Sequence, residues 1–272
     1  MFDWIAQLFG YLLYFIYNIV NDYGLAILIF TILTKLLLLP LTIKQQKSLE
    51  MSKKMQPLLQ ELQVKYKDDQ EKMAQEYQKL LADNKFNPFG GCLLSFIQIP
   101  IILGMLFVVG KPLTNIVKMP QDEIKEKIIQ IMPEDYAGGY DEFVKQNRYI
   151  ELKVIQNENI LDLDFLGINL GDVASEKNSD YKLLILPILS AIFTWLSVYV
   201  INGKQPKADK KEQNENEIPM PDMRVMNIMM PLLSGWIAYI VPQGLGLYWF
   251  FSSLLQVVIQ LVMNKVTKKE EI

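Results

Sequence analysis

Five almost purely apolar stretches constrain this chain more than any other feature of its sequence. They are residues 24–43, 89–110, 183–201, 225–241 and 245–263. A run of about 20 apolar residues forms a helix long enough to cross the hydrocarbon core of a bilayer, which is about 30 Å thick. The sequence therefore predicts an all-α, polytopic membrane protein with five transmembrane helices. Because the fourth stretch is short, four spans and a buried helix remain an alternative.

The first 22 residues differ from these stretches because polar side chains interrupt their apolar spacing. The polar positions are Asp3, Gln7, Asn18 and Asp22. This pattern predicts an amphipathic helix over residues 1–22 that lies in the membrane interface, with a sixth span as the alternative. No basic region precedes the apolar part, so we expect no cleavable signal peptide.

Basic residues are distributed unevenly among the segments that connect the apolar stretches. Residues 44–85 contain nine lysines, whereas residues 112–180 contain seven basic and fourteen acidic residues. Because basic loops stay in the cytoplasm, the pattern predicts an outside N-terminus and a cytoplasmic C-terminus. The cytoplasmic segments are then a helical hairpin at 44–88, a charged linker at 202–224 and a tail at 264–272. The segment 111–182 becomes an extracytoplasmic loop, with a short helix at 122–131 and extended segments near 149–155.

The predicted hairpin combines basic residues with methionines at helical spacing. Pro57 lies within its first helix, where proline is expected to kink or break the helix. A basic, methionine-bearing surface suits contact with lipid headgroups or with another polypeptide, although a solvated two-helix loop is the alternative. The candidate contact residues are Met51, Met55, Lys53, Lys54 and, in the fifth stretch, Trp249.

Lys35 is the single charged residue within the five stretches. A charge at the centre of a bilayer costs about 2.5–3.5 kcal/mol on insertion scales. Ile43, the cytoplasmic end of this stretch, lies about 12 Å further along the helix, which is roughly twice the reach of a lysine side chain. No stretch contains a carboxylate that could pair with the ammonium group. The sequence therefore predicts that water reaches Lys35 in a groove open to the cytoplasm.

Uncharged polar side chains recur on one face of each stretch and could line such a groove. The fourth stretch carries Asn227 and Ser234, seven residues apart. The other candidates are Thr31, Ser95, Gln98, Ser190, Thr194, Ser253, Gln256 and Gln260. Hydrogen bonds that hold neighbouring helices together are the alternative role for each of them.

The residue types that the sequence lacks exclude several kinds of function. The chain has no histidine and one cysteine, Cys92, so no zinc or haem ligand set is expected and no cofactor is predicted. The stretches lack the acids that proton-coupled transport or a membrane enzyme would use. Passage of a polar polypeptide, transport of a small anion and a non-inserting assembly scaffold remain open.

Five segments of the chain resemble the YidC membrane protein insertases, bacterial relatives of the mitochondrial oxidase-assembly and chloroplast insertases. The segments are T-K-L-L-L-L-P-L-T-I-K-Q-Q-K-S (34–48), K-M-Q-P-L-L-Q-E-L-Q-V-K-Y-K-D-D (54–69), N-P-F-G-G-C-L-L-S-F-I-Q-I-P-I (87–101), M-P-L-L-S-G-W-I-A-Y (230–239) and P-Q-G-L-G-L-Y-W-F-F-S-S (242–253). The family's groove cation corresponds to Lys35, where arginine is usual, and its serine–asparagine pair corresponds to Ser252 and Ser253.

The resemblance implies a plasma-membrane insertase and chaperone that is not an enzyme. It implies a hydrophilic groove that is closed to the outside and open to the cytoplasm and lipid, and insertion without ATP hydrolysis. The implied partners are nascent membrane protein clients, the bilayer, the Sec translocon, and the ribosome or signal recognition particle pathway. No direct contact with nucleic acid is expected.

Overall fold

The computed structural model describes residues 3–67, 69–84, 93–177, 180–202 and 223–270. Helices dominate these residues. The α-helices are α1 (Asp3–Val20), α2 (Tyr23–Lys65), α3 (Gln70–Asp83), α4 (Leu93–Gly110), α5 (Gln121–Ile131), α6 (Gly139–Gln146), α7 (Ile150–Glu158), α8 (Ile185–Asn202), α9 (Met223–Ile240) and α10 (Gln243–Glu270). A π-helix (Leu113–Val117), a 3-10 helix (Tyr181–Leu184) and two short antiparallel strands, β1 (Asp164–Phe165) and β2 (Ile168–Asn169), complete the secondary structure.

Three of the described helical stretches are long and apolar enough to cross a membrane. They are Tyr23–Leu59, Tyr181–Ile201 and Gln243–Lys265. Shorter apolar helices occupy Trp4–Val20, Ile99–Gly110 and Asn227–Ile240. The fold class, an all-α polytopic membrane protein, is therefore confirmed. The number of spans stays a prediction, since the predicted second and fourth spans coincide with the shorter apolar helices.

Helix α2 is continuous from Tyr23 to Lys65, although it contains Pro40 and Pro57. It includes both the predicted first span and the first arm of the predicted hairpin, so a break at Pro57 is wrong. A proline removes one helical hydrogen bond and crowds the preceding turn, but the leucine and glutamine residues around Pro57 favour helix and allow it to continue. The second arm is α3, where the Asp69 carboxylate accepts a hydrogen bond from the backbone N–H of Lys72 at 3.0 Å.

The chain divides into two compact units. Within the described residues, the larger unit contains those up to Lys35 and those from Pro100 onward, and the smaller contains Leu36–Ile99. In the smaller unit, Met55, Leu59 and Met73 are buried.

Helices α8, α9 and α10 pack closely in the larger unit because small residues lie where they meet. A Cβ atom added at Gly235 of α9 would lie 3.1 Å from the Cβ of Ala191 on α8. At Gly246 of α10, an added Cβ would lie 3.7 Å from the Cβ of Leu186. Small residues allow membrane helices to approach one another closely.

The described residues of the predicted extracytoplasmic loop, 111–177 and 180–182, belong to the larger unit. The predicted helix at 122–131 is confirmed as α5. The extended segments predicted near 149–155 are wrong, because residues 150–158 form helix α7. The alternating apolar residues at the start of this segment favoured a strand, but Ile150, Leu152, Val154 and Ile155 are all buried in a helix. Tertiary packing here outweighs the local β propensity.

Helix α1 buries one face of small and aliphatic residues, namely Ala6, Gly10, Leu13 and Ile16. A Cβ atom at Gly10 would lie 2.2 Å from the backbone carbonyl oxygen of Asn115, so the absence of a side chain permits this contact. The exposed face is also apolar and includes Trp4, Leu8, Tyr11, Phe15 and Ile19. The helix is confirmed, and its location in the membrane interface stays a prediction.

Candidate functional site

Lys35 lies on α2 opposite Gln256 of α10. Its Nζ atom donates a hydrogen bond to Gln256 Oε1 at 3.2 Å, and both side chains are half-buried. Nearer the start of each helix, the rings of Phe30 and Tyr248 have centroids 6.5 Å apart. Phe30 precedes Lys35 on α2, and Tyr248 precedes Gln256 on α10. The two helices therefore run in the same direction here. The structure thus joins the predicted cation to one of the predicted polar residues.

Three hydroxyl groups from α8, α9 and α10 form a second polar cluster. Thr194 Oγ1 lies 2.9 Å from Ser234 Oγ and 3.1 Å from Ser253 Oγ. Ser234 also donates to the backbone carbonyl of Ser190 at 3.4 Å, and Ser190 donates to the carbonyl of Gly246 at 3.4 Å. These bonds cross between helices, so they favour a helix-linking role for Ser190, Thr194 and Ser253.

Ser234 was predicted as a polar residue of the fourth stretch, and the structure places it in the hydroxyl cluster. Its only sequence signal is the seven-residue spacing from Asn227, which places both residues on one face of α9. That spacing does not show which neighbouring helix carries a partner, so the contact with Thr194 required the structure.

Two other predicted groove residues have partners on their own helices. Thr31 is fully buried, and its hydroxyl donates to the carbonyl of Ile27 at 2.6 Å. Gln260 is 1% exposed, and its Nε2 atom donates to Asn264 Oδ1 at 3.2 Å. Neither contact joins the Lys35–Gln256 pair, so the lining roles of Thr31 and Gln260 stay predictions.

The remaining predicted residues fall into three groups. The side chains of Ser95, Gln98 and Lys53 lie outside the described residues. Lys54 is exposed, Met51 is 39% exposed and Trp249 is half-buried. Met55, at 2% exposed, is buried, and its predicted role as a client or lipid contact stays a prediction. Its helical spacing with Met51 could not distinguish a binding face from a packed one.

Beside the bundle, Glu151 of α7 is a buried carboxylate that holds the π-helix. It accepts hydrogen bonds from the backbone N–H of Thr114 at 2.9 Å and from the Thr114 hydroxyl at 2.8 Å. Burial raises the pKa of Glu151, and the hydrogen bonds from Thr114 oppose this rise. Lys118, just after the π-helix, lies 4.0 Å from the centroid of the Tyr11 ring. These contacts fix the segment after α4 against α7 and α1.

Metal chemistry has no visible site in the part of the chain that the structure describes. No group of three or more histidine, cysteine, aspartate or glutamate side chains is placed there to hold a metal ion. Cys92 lies outside the described residues. The polar groups that the structure brings together are the ammonium, amide and hydroxyl groups described above, which bind by charge and hydrogen bonding.

Comparison with known proteins adds independent information. The model of the 60Kd inner membrane protein family matches residues 15–270. A membrane protein insertase YidC of Caldanaerobacter subterraneus is 31% identical over 264 residues, covering 97% of this chain and 96% of that protein. One from Oceanobacillus iheyensis is 30% identical over 249 residues, covering 90% and 75%. One from Fusobacterium nucleatum is 28% identical over 265 residues, covering 97% of both.

Proposed function

The chain belongs to the 60Kd inner membrane protein family, and on this premise we propose that it is a membrane protein insertase of the bacterial inner membrane. The family is not a family of enzymes, so the prediction that the chain is not an enzyme is confirmed. The observation that carries the proposal is the Lys35–Gln256 hydrogen bond. It places a cation and an amide between two helices whose membrane stretches hold no acid.

The proposed orientation has the N-terminus outside and the C-terminus in the cytoplasm. Lysines concentrate in 44–85 and again after the fifth stretch, as expected of cytoplasmic segments. Residues 111–182 then lie outside, together with the short connections before α2 and before α10. Lys35 lies between this outer end and the cytoplasmic end of its stretch.

We propose that Lys35 and Gln256 form part of a hydrated groove that receives the polar tail of a client. A single hydrogen bond between an ammonium and an amide is readily exchanged for bonds to a carboxylate or a peptide group, because the lysine can donate three hydrogen bonds. An acidic tail also gains attraction from the positive charge. Gln98 stays a groove residue predicted from the sequence.

Client capture would precede this step on the basic hairpin. Met51 and Lys54 are exposed there and can meet an apolar segment and an acidic headgroup or residue, respectively. Lys53 belongs to the same proposal. The client's apolar segment would then leave the groove sideways into lipid, driven by about 25 cal/mol per Å² of apolar area removed from water. No nucleotide is needed for that step.

The proposed partners are nascent membrane proteins and the bilayer. The Sec translocon, the ribosome and the signal recognition particle pathway would deliver clients or share them. Among the described residues, the exposed and lysine-bearing arms of the hairpin have a charge that suits contacts with these partners.

The test is insertion of a single-span client with an acidic outer tail into liposomes that contain only this protein. Wild type is compared with Lys35→Arg, Lys35→Gln and Lys35→Leu, and protease protection of the tail measures translocation. We expect insertion with lysine and arginine, partial insertion with glutamine, and failure with leucine. Equal insertion by all four would reject the cationic groove and move the mechanism to the hairpin. Anion flux through the same liposomes, without insertion, would favour the transporter instead.

A further inference from the structure

The segment Leu161–Ser175, called here the β-hairpin segment, is bonded through its backbone to the connection between α9 and α10. The N–H of Gln243 donates to the carbonyl of Asp172, and that of Gly244 donates to Leu170, both at 2.8 Å. The N–H of Ser175 donates to the carbonyl of Tyr239 at 3.0 Å, and Val173 pairs antiparallel with Pro242. Two of the N–H groups that begin α10, which have no partner within the helix, are thereby satisfied.

Phe165 of the same segment inserts beside the beginning of α2. A Cβ atom at Gly24 would lie 2.1 Å from Cδ2 of Phe165, so the ring occupies the space that a side chain would fill. The Phe165 ring also meets Phe251 of α10 edge-on, with centroids 6.4 Å apart. One aromatic side chain therefore bridges the two helices that carry Lys35 and Gln256.

Below Phe165, aromatic side chains lie between the hairpin segment and Lys35, together with Thr31, whose buried hydroxyl donates to the carbonyl of Ile27 on its own helix. Phe30 and Tyr248 face each other, and Phe250 and Phe251 have centroids 5.2 Å apart. Phe30 is fully buried and Tyr248 is 3% exposed. Lys35 follows Phe30 by five residues, which is about 7.5 Å along the helix. The change from an apolar layer to a cation thus takes place within one and a half turns.

We propose that the β-hairpin segment closes the outer end of the groove, with Phe165 as the side chain that fills the gap between α2 and α10. The inference rests on the proposed function, because it takes the groove at Lys35 and the orientation from there. A hydrated groove that continued past Phe30 would connect the two sides of the membrane and leak ions. An apolar constriction prevents this by excluding water. The segment gives the long acidic loop a role that its charge alone does not suggest.

The geometry also explains why the closure depends on this loop rather than on the helices alone. Gly24 has no side chain, so α2 by itself leaves open the space beside the start of α10. Leu163 and Leu170, on either side of the hairpin turn, are 4% and 0% exposed and anchor the segment in the larger unit. Leu166, at the tip, is 88% exposed and does not fill the gap.

The test measures access from outside to a cysteine placed between Phe165 and Lys35. Thr31→Cys suits this purpose, because residue 31 is two turns below Gly24 on the same face of α2 and is fully buried. The background carries Cys92→Ser, which removes the native cysteine. A membrane-impermeant thiol reagent is added to intact cells, and the labelling rate of the full-length protein is measured.

We expect slow labelling in the parent and labelling about tenfold faster in Phe165→Ala, because the opening exposes residue 31 to water. Leu166→Ala is the matched control, since it truncates the neighbouring side chain without touching the gap, and its rate should equal that of the parent. Phe165→Leu keeps an apolar side chain and should give an intermediate rate. That variant provides the answer if Phe165→Ala does not accumulate.

Equal labelling of the parent and of the Phe165 variants would overturn the inference. Fast labelling of the parent would overturn it as well, because the outer end would then already be open. None of these rates requires a client or an insertion reaction. A failure of the closure is therefore distinguishable from a failure of the insertase proposal, which is tested by the Lys35 series.

Discussion

Two layers of the same helix pair, α2 and α10, differ sharply in chemistry. Near the start of the helices, Phe30 meets Tyr248 and both are buried. Five residues after Phe30, Lys35 donates a hydrogen bond to Gln256. The helices are parallel and continuous through both layers, so the backbone does not create the difference. The side chains alone change an apolar layer into a polar one.

This comparison shows how a groove can be hydrated without crossing the membrane. In the proposed groove, water or a client surrounds the polar layer, since an isolated charge in hydrocarbon costs about 2.5–3.5 kcal/mol on insertion scales. The aromatic layer needs dry packing, and the β-hairpin segment supplies part of that packing from outside the helices. Each layer can be altered separately, so the comparison can be tested from both sides.

Reversing the charge of the polar layer should have the largest effect. Lys35→Glu places an acid where an acidic client tail is proposed to lie. We expect insertion of that client to fall about a hundredfold. This factor corresponds to the cost of about 2.5–3.5 kcal/mol for an unfavourable charge in the membrane. Tail protection in liposomes measures the fall. A client with lysines in its tail is the control and should lose far less. Equal losses for both clients would show that the variant has lost function in general, and not through the charge at position 35.

Filling the space beside Phe165, at the proposed outer end, should have the next largest effect. A Cβ atom in Gly24→Ala would lie 2.1 Å from the Phe165 ring, so the ring must move, and we expect a loss of about 1–3 kcal/mol in stability, as for other overpacked sites. Thermal unfolding in detergent micelles measures it.

Gly246→Ala is the matched control, because an added Cβ there would be in ordinary contact, 3.7 Å from Leu186. Alanine favours helix over glycine, so this variant should be as stable as the parent or more stable, by up to about 1 kcal/mol. Similar losses at both glycines would contradict the tight fit of Phe165.

The sequence predicted the polar layer better than the apolar closure. A lysine without an acidic partner in an apolar stretch is unusual enough to indicate a site, and Gln256 was among the predicted groove residues. The proposed closure depends on Gly24, Phe165 and Phe251, which are far apart in the chain and ordinary in their own segments. Their meeting follows from tertiary packing, which hydrophobic periodicity does not specify.

The smaller unit shows the same limit in another form. Met51 and Met55 are four residues apart and share one face of α2, yet one is 39% exposed and the other 2%. Helical spacing indicates that side chains lie together, but not what covers them. Likewise, the alternation of apolar and charged residues in 150–155 favoured a strand, but the structure shows these residues buried in helix α7.

The hydroxyl cluster sharpens the comparison because it is polar without being part of the Lys35–Gln256 pair. Thr194→Val removes the group that lies within hydrogen-bond distance of both Ser234 and Ser253. We expect a loss of about 1 kcal/mol in stability, typical of hydrogen bonds between membrane helices, and unchanged insertion per folded molecule. Thermal unfolding and the liposome assay measure the two quantities. Reduced insertion at unchanged stability would instead assign Thr194 to the groove lining.

The smallest expected effect concerns Glu151, which supports the loop against the π-helix outside the bundle. Burial raises its pKa in the folded protein, so folding disfavours the charged form relative to the unfolded chain. Its contribution to stability is therefore greatest below the unfolded pKa and declines as the pH rises through the folded pKa. Unfolding temperatures at about pH 4 and about pH 7 bracket the start of that decline, since an unfolded glutamate has a pKa of about 4.3.

In Glu151→Gln, the pH-dependent part of this contribution disappears, because the amide does not titrate. Glutamine still offers one oxygen to Thr114, so the protein should fold, with one of the two hydrogen bonds weakened. From about pH 4 to about pH 7, the unfolding temperature of the variant should therefore fall less, or rise more, than that of the parent. Glu142→Gln, at an exposed position of α6, is the control and should leave the pH profile of the parent unchanged. If both variants keep the parental profile, the burial of Glu151 does not influence stability, and the loop is held on the bundle by the apolar contacts and backbone bonds of the β-hairpin segment.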